Sequence, residues 1–371
     1  MENVTGILSS RANGKKIFDR VLDDLSAPFE ALDEADRDSV DLDAAPPRYK
    51  IYSLVRQADE SKLAPRDYVI KAEDHEIPQR RHRVILLGIK VREGIDLEID
   101  TTLPPGKKLV TTRDVIDDLP PVRSVRSKPD NAPDDWEESA AAWKQDIVDG
   151  IEEGVFDFSD KQARKIQKKI IKNIHAISDD LTPGGRFIPA HCSPRVHADW
   201  FKDERLEGVC NHEARAHMKS DLHRYMFAAT YAKVKKEFPR LENYPEHLLP
   251  NHKSAHGNNM KHFNDRFRVQ RKKEPATTIV SHMAKDGHYF IHYDPRQCRS
   301  FTVREAARIQ TFPDNYFFEG SRTRQYVQVG NAVPPLLAQL IAGVVARVLV
   351  TGKTIPSPTE LARLAQQALF A

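Results

Sequence analysis

The chain has 371 residues, enough for two domains at roughly 100–200 residues each. With 57 Lys and Arg against 54 Asp and Glu its formal net charge is +3, so a polyanion must be met by a local patch and not by bulk charge. Its three cysteines, Cys192, Cys210 and Cys298, are widely spaced with no C-x-x-C, which argues against a disulfide scaffold and a structural zinc site and makes a reducing, cytoplasmic setting the expectation.

Ile17, Phe18, Val21, Leu22 and Leu25 recur at helical spacing and predict a helix over 14–25. The acidic, proline-bearing stretch 26–47 reads as a loop. Residues 49–55 alternate as a strand. Residues 84–91 are nearly continuously apolar, which suits a strand covered on both faces, as in a parallel α/β sheet. Between these strands lie Gln79, Arg81 and Arg83, in a loop of the kind where α/β sheets place ligands. By composition alone, a solvated basic turn is the simpler reading.

Thr112 marks a helix start, and 127–160 reads as an irregular acidic exit from the first domain. Over 161–177 a basic amphipathic helix is predicted, with Ile166, Ile170, Ile174 and Ile177 on one face. Its cations could contact phosphate, but an ordinary solvated face is the plainer account. Residues 182–185 form a turn. From Asn211 a long helical pattern runs through Met218, Leu222, Tyr225 and Ala229. His212, His217, Asp221 and His223 raise a metal site, yet no second helical pair or H-E-x-x-H accompanies them, so packed or hydrogen-bonded histidines are expected. Residues 266–294 read as strands with a turn at 285–287. Arg271, Lys272 and Lys273, with Asn258 and Lys261 just before them, could present cationic and polar groups to a DNA groove. No apolar run approaches the roughly 20 residues of a membrane span.

The stretch 299–341 is the most specific. Thr302 and Glu305 predict a capping box, and Ala306, Ala307, Ile309 and Gln310 a tightly packed helix stopped by Pro313. Gly330 and Asn331 suggest a turn, and Pro334 or Pro335 opens a helix with an apolar stripe of Leu336, Leu337, Leu340, Ile341, Val344, Val345 and Val348.

The string R-S-F-T-V-R-E-A-A-R-I-Q-T-F-P (299–313), followed by Q-V-G-N-A-V-P-P (328–335), resembles the last two sequence blocks of the cytosine-C5 DNA methyltransferases. Gln79-Arg80-Arg81-His82-Arg83 resembles that family's Q-x-R-x-R block, and Glu2-Asn3-Val4 its Glu-Asn-Val block. All four stand in family order and bracket most of the chain. The resemblance implies a partial class I S-adenosylmethionine-dependent methyltransferase sheet, an α/β Rossmann-like fold, plus a target-recognition domain. Residues 1–93 would belong to the catalytic domain, 94–275 to the recognition domain, and 276–371 to a return into the catalytic domain.

The implied reaction is transfer of methyl from S-adenosylmethionine to C5 of a cytosine flipped out of double-stranded DNA, as in a restriction-modification system. Glu2, Arg83, Arg81 and Gln79 would form the catalytic site: Glu2 would bond the cytosine at N3, Arg83 would contact its O2 side, Arg81 would structure the loop, and Gln79 would stand at the same substrate-facing edge. Asn331, Gly330 and Val333 would lie near the cofactor. Arg304, Glu305, Arg308 and Gln328 would be structural. Two family features are missing from these residues: an F-x-G-x-G cofactor loop and a Pro-Cys nucleophile. The cysteines here follow His191, Val209 and Gln297. A second methyltransferase subunit supplying both, a truncated reading of one gene, and a remnant that only binds DNA all fit; RNA methylation is a weaker alternative.

Overall fold

In a computed structural model, residues 1–40, 45–91, 100–127, 145, 149, 161–175, 181–251 and 264–350 are described. Asn258, Lys261 and most of the acidic 127–160 stretch lie outside them, as do Ile177 and the side chain of Ile174. The chain forms two compact units, Met1–Lys108 with Pro335–Ala371, and Leu109–Pro334. This division by compactness does not follow the division by role that the sequence blocks suggest.

The first unit is built on one strand. β1 (Glu2–Val4), β2 (Tyr49–Ser53) and β3 (Val69–Lys71) all pair with β4 (His82–Lys90), and all three pairings are antiparallel. Alternation along β4 explains its unbroken apolar run. Val84 and Leu86 join Phe18, Ile51 and Tyr68 on one face, under α1 (Ile17–Ser26). Ile85 and Leu87 turn to the other face, where Leu337, Leu340 and Val344 of the closing helix, Pro335–Val350, cover them. Both faces are therefore buried, as the sequence implied, but the strands are not parallel. For β3 and β4 the direction follows from their connection: ten residues allow a return, not a crossover helix. The stretch 26–47 is also not all loop, because Asp33 accepts from the Asp36 N–H at 2.9 Å and caps a short helix, α2 (Glu34–Ser39).

The second unit opens with α3 (Thr112–Ile116), where the Thr111 N–H donates to the Asp114 carboxylate at 2.9 Å. A short strand β5 (Val125–Arg126) pairs with β8 (Ala216–His217), and β6 (Gly184–Pro189) with β7 (Gly208–Glu213). Helix α4 (Lys161–His175) buries Ile166 and Ile170 against α5 (Lys219–Lys235), whose Leu222, Tyr225, Met226 and Ala229 form one core with Phe267 and Ile291. A second core surrounds α6 (Val303–Ile309), and Tyr326 and Val329 of α7 (Arg322–Asn331) enter it.

Two expectations fail here. The helix read from Asn211 begins only at Lys219. Asn211 stands in β7 at φ 55°, and its side-chain amide holds both the C=O and the N–H of Phe318, at 3.0 and 2.9 Å. Asparagine tolerates that backbone region, and the long-range bond outweighs local helical spacing. Residues 266–294 are also not a set of strands. Only Ala276–Thr277 has strand geometry, while Ser281–Ala284 and His288–Phe290 are 3₁₀ turns. The Gln270 side chain takes the ladder's place, accepting from Thr277 N–H at 2.9 Å and donating to the Tyr289 C=O at 2.6 Å.

By length and composition, the helical stretch Arg322–Val350 would suffice for a membrane span. It is broken between Asn331 and Pro335, however, and the closing helix has 16 residues, roughly 24 Å against a hydrocarbon core of about 30 Å.

Candidate functional site

In the first unit the antiparallel register sets Val4 opposite Arg83 and Glu2 opposite Ile85. From neighbouring rungs, the Arg83 guanidinium reaches the Glu2 carboxylate at 3.1 Å. The pair is asymmetric: the Arg83 side chain is 16% exposed and the Glu2 side chain 38%, so the acid is the more open partner and the guanidinium is partly buried. A second guanidinium bond, to the His82 C=O at 2.8 Å, fixes Arg83 in place. Gln79 and Arg81 are buried beneath. The Arg81 N–H bonds the Gln79 C=O at 3.0 Å and its own C=O accepts from Ala72 at 3.1 Å, so the loop is tied at its backbone. Burial lowers Arg81 to about 10; the nearby Arg83 charge adds to this and Glu2 opposes it. His82 and Glu73, a pair that no local pattern marks, meet beside them at 2.7 Å.

In the second unit, α6 is a hub of buried charge. Its N-terminus is the predicted capping box: the Thr302 hydroxyl accepts from the Glu305 N–H at 3.2 Å, and the Glu305 carboxylate accepts from the Thr302 N–H at 2.8 Å. Glu305 also receives a two-pronged bond from Arg299, at 2.6 and 2.8 Å. Burial would raise this carboxyl, but the Arg299 charge holds it far below the usual range. Arg304 has no exposed surface and donates to three carbonyls, of Cys210, Pro313 and Tyr316, at 2.9, 3.1 and 2.6 Å. Arg308 is equally buried and binds Asp314 through two bonds of 2.8 Å, Asp118 at 2.7 Å and the Val115 C=O at 2.9 Å. Arg299, Asp118 and Asp314 are partners that sequence reasoning missed. Asp118 lies 190 residues from Arg308, and no local pattern marks it.

Gly330 and Asn331 do not form a turn; they end α7. Gly330 is demanded by packing, because a Cβ there would stand 2.2 Å from the Ser281 N and 2.4 Å from the Val280 carbonyl carbon. Asn331 and Val333 are exposed, and the Gln328 amide donates to the Glu319 C=O at 3.0 Å. Asn331 can donate and accept, and Val333 offers apolar surface. These residues suit one edge of a cofactor and no more.

The basic run is on the surface but largely paired. Arg271 meets Glu274 at 2.7 Å and Lys272 meets Asp117 at 2.8 Å, while Lys273 is exposed. The histidines are hydrogen-bonded in the core: His212 contacts the Thr302 hydroxyl at 2.9 Å and the Pro120 C=O at 2.7 Å, and His217 the Ser300 hydroxyl at 3.2 Å. None of the thiols is poised to attack. Burial raises all three, Cys192 to about 11, and the Cys298 thiol donates to the Leu222 C=O at 3.0 Å. A nucleophilic cysteine needs the opposite shift.

Residues 66–347 match the C-5 cytosine-specific DNA methylase family. The chain belongs to that family. It is 32% identical over 349 residues to the type II methyltransferase M.Bpa9945I of Bacillus paralicheniformis, an alignment that takes in 94% of this chain and 59% of that protein. Over 80 residues, 22% of this chain and 18% of the relative, it is 50% identical to the type II methyltransferase M.AgeI of Thalassovita gelatinovora. Over 76 residues, 20% of this chain and 16% of the relative, it is 43% identical to the DNA (cytosine-5-)-methyltransferase M.ApeKI of Aeropyrum pernix. The chain thus spans about three fifths of the length of M.Bpa9945I.

Proposed function

We propose that the chain supplies the base-gripping and DNA-reading part of an enzyme that methylates C5 of cytosine in duplex DNA. The observation that carries this reading is the Glu2–Arg83 pair, an exposed carboxylate fixed at 3.1 Å by a partly buried guanidinium. A cytosine must leave the stack to be reached, at a cost of a few kcal/mol. Once out, its N3 edge suits a carboxyl that can hold a proton there, and its O2 suits a cation. Addition of a nucleophile to C6 builds negative charge on the ring, and both contacts strengthen as it forms. Arg81 and Gln79 lie just before β4, the strand that carries Arg83.

Cys210 and Cys298 are buried, Cys192 is partly buried, and burial raises all three thiols, so the thiolate that adds to C6 comes from outside these 371 residues. A partner polypeptide carrying a Pro-Cys loop and a glycine-rich cofactor loop would complete the site. S-adenosylmethionine, when bound, supplies the methyl group; from this chain Asn331 and Val333 would form one edge of its site, with Gly330 keeping the backbone beneath them close. Double-stranded DNA is the substrate, and a restriction-modification system the setting.

The test is transfer of labelled methyl to duplex DNA by the chain combined with such a partner. Transfer by the pair and by neither alone supports the proposal, and Glu2→Gln should then lower the rate about a hundredfold or more. No transfer by the pair removes it. The unreactive thiols also favour a second reading, a non-catalytic DNA-binding remnant. That reading predicts salt-dependent DNA affinity by the chain alone, undiminished by Glu2→Gln.

A further inference from the structure

A cavity of about 350 Å³ opens in the second unit between the last turn of α5, residues 269–274 and residues 293–296. Its volume is at the low end of the roughly 300–1,000 Å³ usual for small-ligand clefts. Ala232, Val269 and Tyr293 give it an apolar interior. Around them stand six cations and only two acids, Glu274 and Asp294. Both acids are already engaged, Glu274 by Arg271 at 2.7 Å and Asp294 by Arg296 at 2.6 Å, and Lys272 is taken by Asp117 at 2.8 Å. That leaves Lys233, Lys236 and Lys273, which have no carboxylate partner among the described residues.

The ordinary account of lysines at a helix end is the macrodipole, whose negative end favours them. It covers Lys233 on α5 and Lys236 just past its end, whose ammonium donates to the Lys233 C=O at 3.0 Å. It does not cover Lys273, which comes from a different segment and converges on the same cavity. The local field is also in cationic excess. Lys233 is lowered by burial and by the charges of Arg296, Lys169 and Lys172, which Asp294 does not offset. Like charges gathered over an apolar hollow repel one another until an anion fills the site. Three ammonium groups are compact point charges and suit a phosphate. Phosphate alone would leave the apolar interior unfilled, so the ligand carries a body as well.

We infer that this cavity binds one nucleotide, its phosphate at Lys233, Lys236 and Lys273 and its base against Ala232, Val269 and the edge of Tyr293. The choice of a nucleoside as the body rests on the proposal that the chain works on DNA. The nucleotide can come from a strand, as a residue drawn out of the duplex by this unit, or from solution.

The experiment uses the full chain in equilibrium dialysis with dCMP, deoxycytidine and inorganic phosphate. The expected result is dCMP bound at least about tenfold more tightly than either fragment, a difference of about 1.4 kcal/mol. The exposed double variant Lys233→Ala/Lys273→Ala should lose about tenfold, and Lys233→Arg/Lys273→Arg should stay near the parent, with thermal midpoints of all three alike. A duplex carrying 2-aminopurine then separates the sources. Fluorescence that rises on binding, and fails to rise with the alanine variant, assigns the site to an extruded nucleotide; dCMP binding without that rise assigns it to the free one. Phosphate binding as well as dCMP, or an alanine variant that binds dCMP like the parent, overturns the inference. Neither outcome depends on methyl transfer. Loss of transfer with dCMP binding intact would count against the proposed enzyme and not against this site.

Discussion

Arg308 offers the most demanding test of how the second unit is held together. It is fully buried and bridges Asp314, Asp118 and the Val115 C=O, joining α3 to α6 and to the segment after it. Burial alone would lower its pKa, but the two carboxylates outweigh that and raise it. Arg308→Ala removes the shared cation and leaves two largely buried carboxylates facing each other, with side chains 11% and 17% exposed. Breaking a buried pair in this way costs about 3–5 kcal/mol, more than the truncated side chain's own packing. Arg308→Lys keeps the charge but loses the fork and should cost about 1–3 kcal/mol. The triple change Arg308→Met/Asp314→Leu/Asp118→Leu should recover most of the loss, because apolar groups of similar volume often replace a buried ion network without penalty. Two compact units need not unfold together, so a local probe is required. Trp200 provides one, since its indole N–H donates to the Thr311 C=O at 2.8 Å, just beyond α6. In a Trp136→Phe/Trp143→Phe background, urea unfolding followed by Trp200 fluorescence reports on this region. An alanine variant within 0.5 kcal/mol of the parent, about the scatter of a surface substitution, would refute the reasoning.

Three further outcomes follow from the same geometry. Burial holds His212 and His292 at about 4, against an ordinary 6.5. The unfolded chain therefore takes up protons first, so stability is fully present above about pH 6.5 and is lost as pH falls towards 4, by up to roughly 3 kcal/mol for each histidine. Glu305, held far below its usual value, adds a further loss under about pH 4.5. Equal Trp200 urea midpoints at pH 7.5 and pH 5 would contradict this. Gly330→Ala should destabilise by at least about 1–3 kcal/mol although alanine is the better helix former, because its methyl would meet the Val280–Ser281 backbone; a raised melting temperature would show that contact to be soft. Thr302→Ala removes both the α6 cap and the His212 partner at 2.9 Å, and should cost about 1–2 kcal/mol in the same unfolding assay.

What could be read from sequence was what short-range chemistry fixes. The Thr302–Glu305 box, the Pro335 start and the apolar stripe on the closing helix each depend on residues within a turn or two of one another. Errors arose where distant groups decide. The apolar run of β4 signals burial on both faces but not strand direction, which for β3 and β4 is selected by the short connection between them. Asn211 broke a helical pattern by bonding Phe318, 107 residues away. Gln270 took the hydrogen bonds that residues 277–289 would otherwise have given to a ladder. The Arg83–Glu2 contact depends on the strand register, which neither the Glu-Asn-Val nor the Q-x-R-x-R block contains.

The arginines of the R-E-x-x-R block bear on how this family's shared strings should be interpreted. A basic block in a DNA-modifying protein invites the idea that its arginines touch phosphate. Here Arg304 and Arg308 are fully buried, and their bonds end on carbonyls and carboxylates of their own unit. A desolvated guanidinium tied by three or four such bonds cannot turn outward without leaving those acceptors unpaired, at about 1–3 kcal/mol each. The wording of the block therefore reflects how the unit folds. On the proposal that the chain works on DNA, contact with phosphate would fall to cations that keep a solvated face, such as Lys273. The two roles separate by salt. Loss of Lys273 should lower the slope of log affinity against log salt by about one, whereas loss of Arg304 should reduce the folded fraction and leave the slope of the folded remainder unchanged.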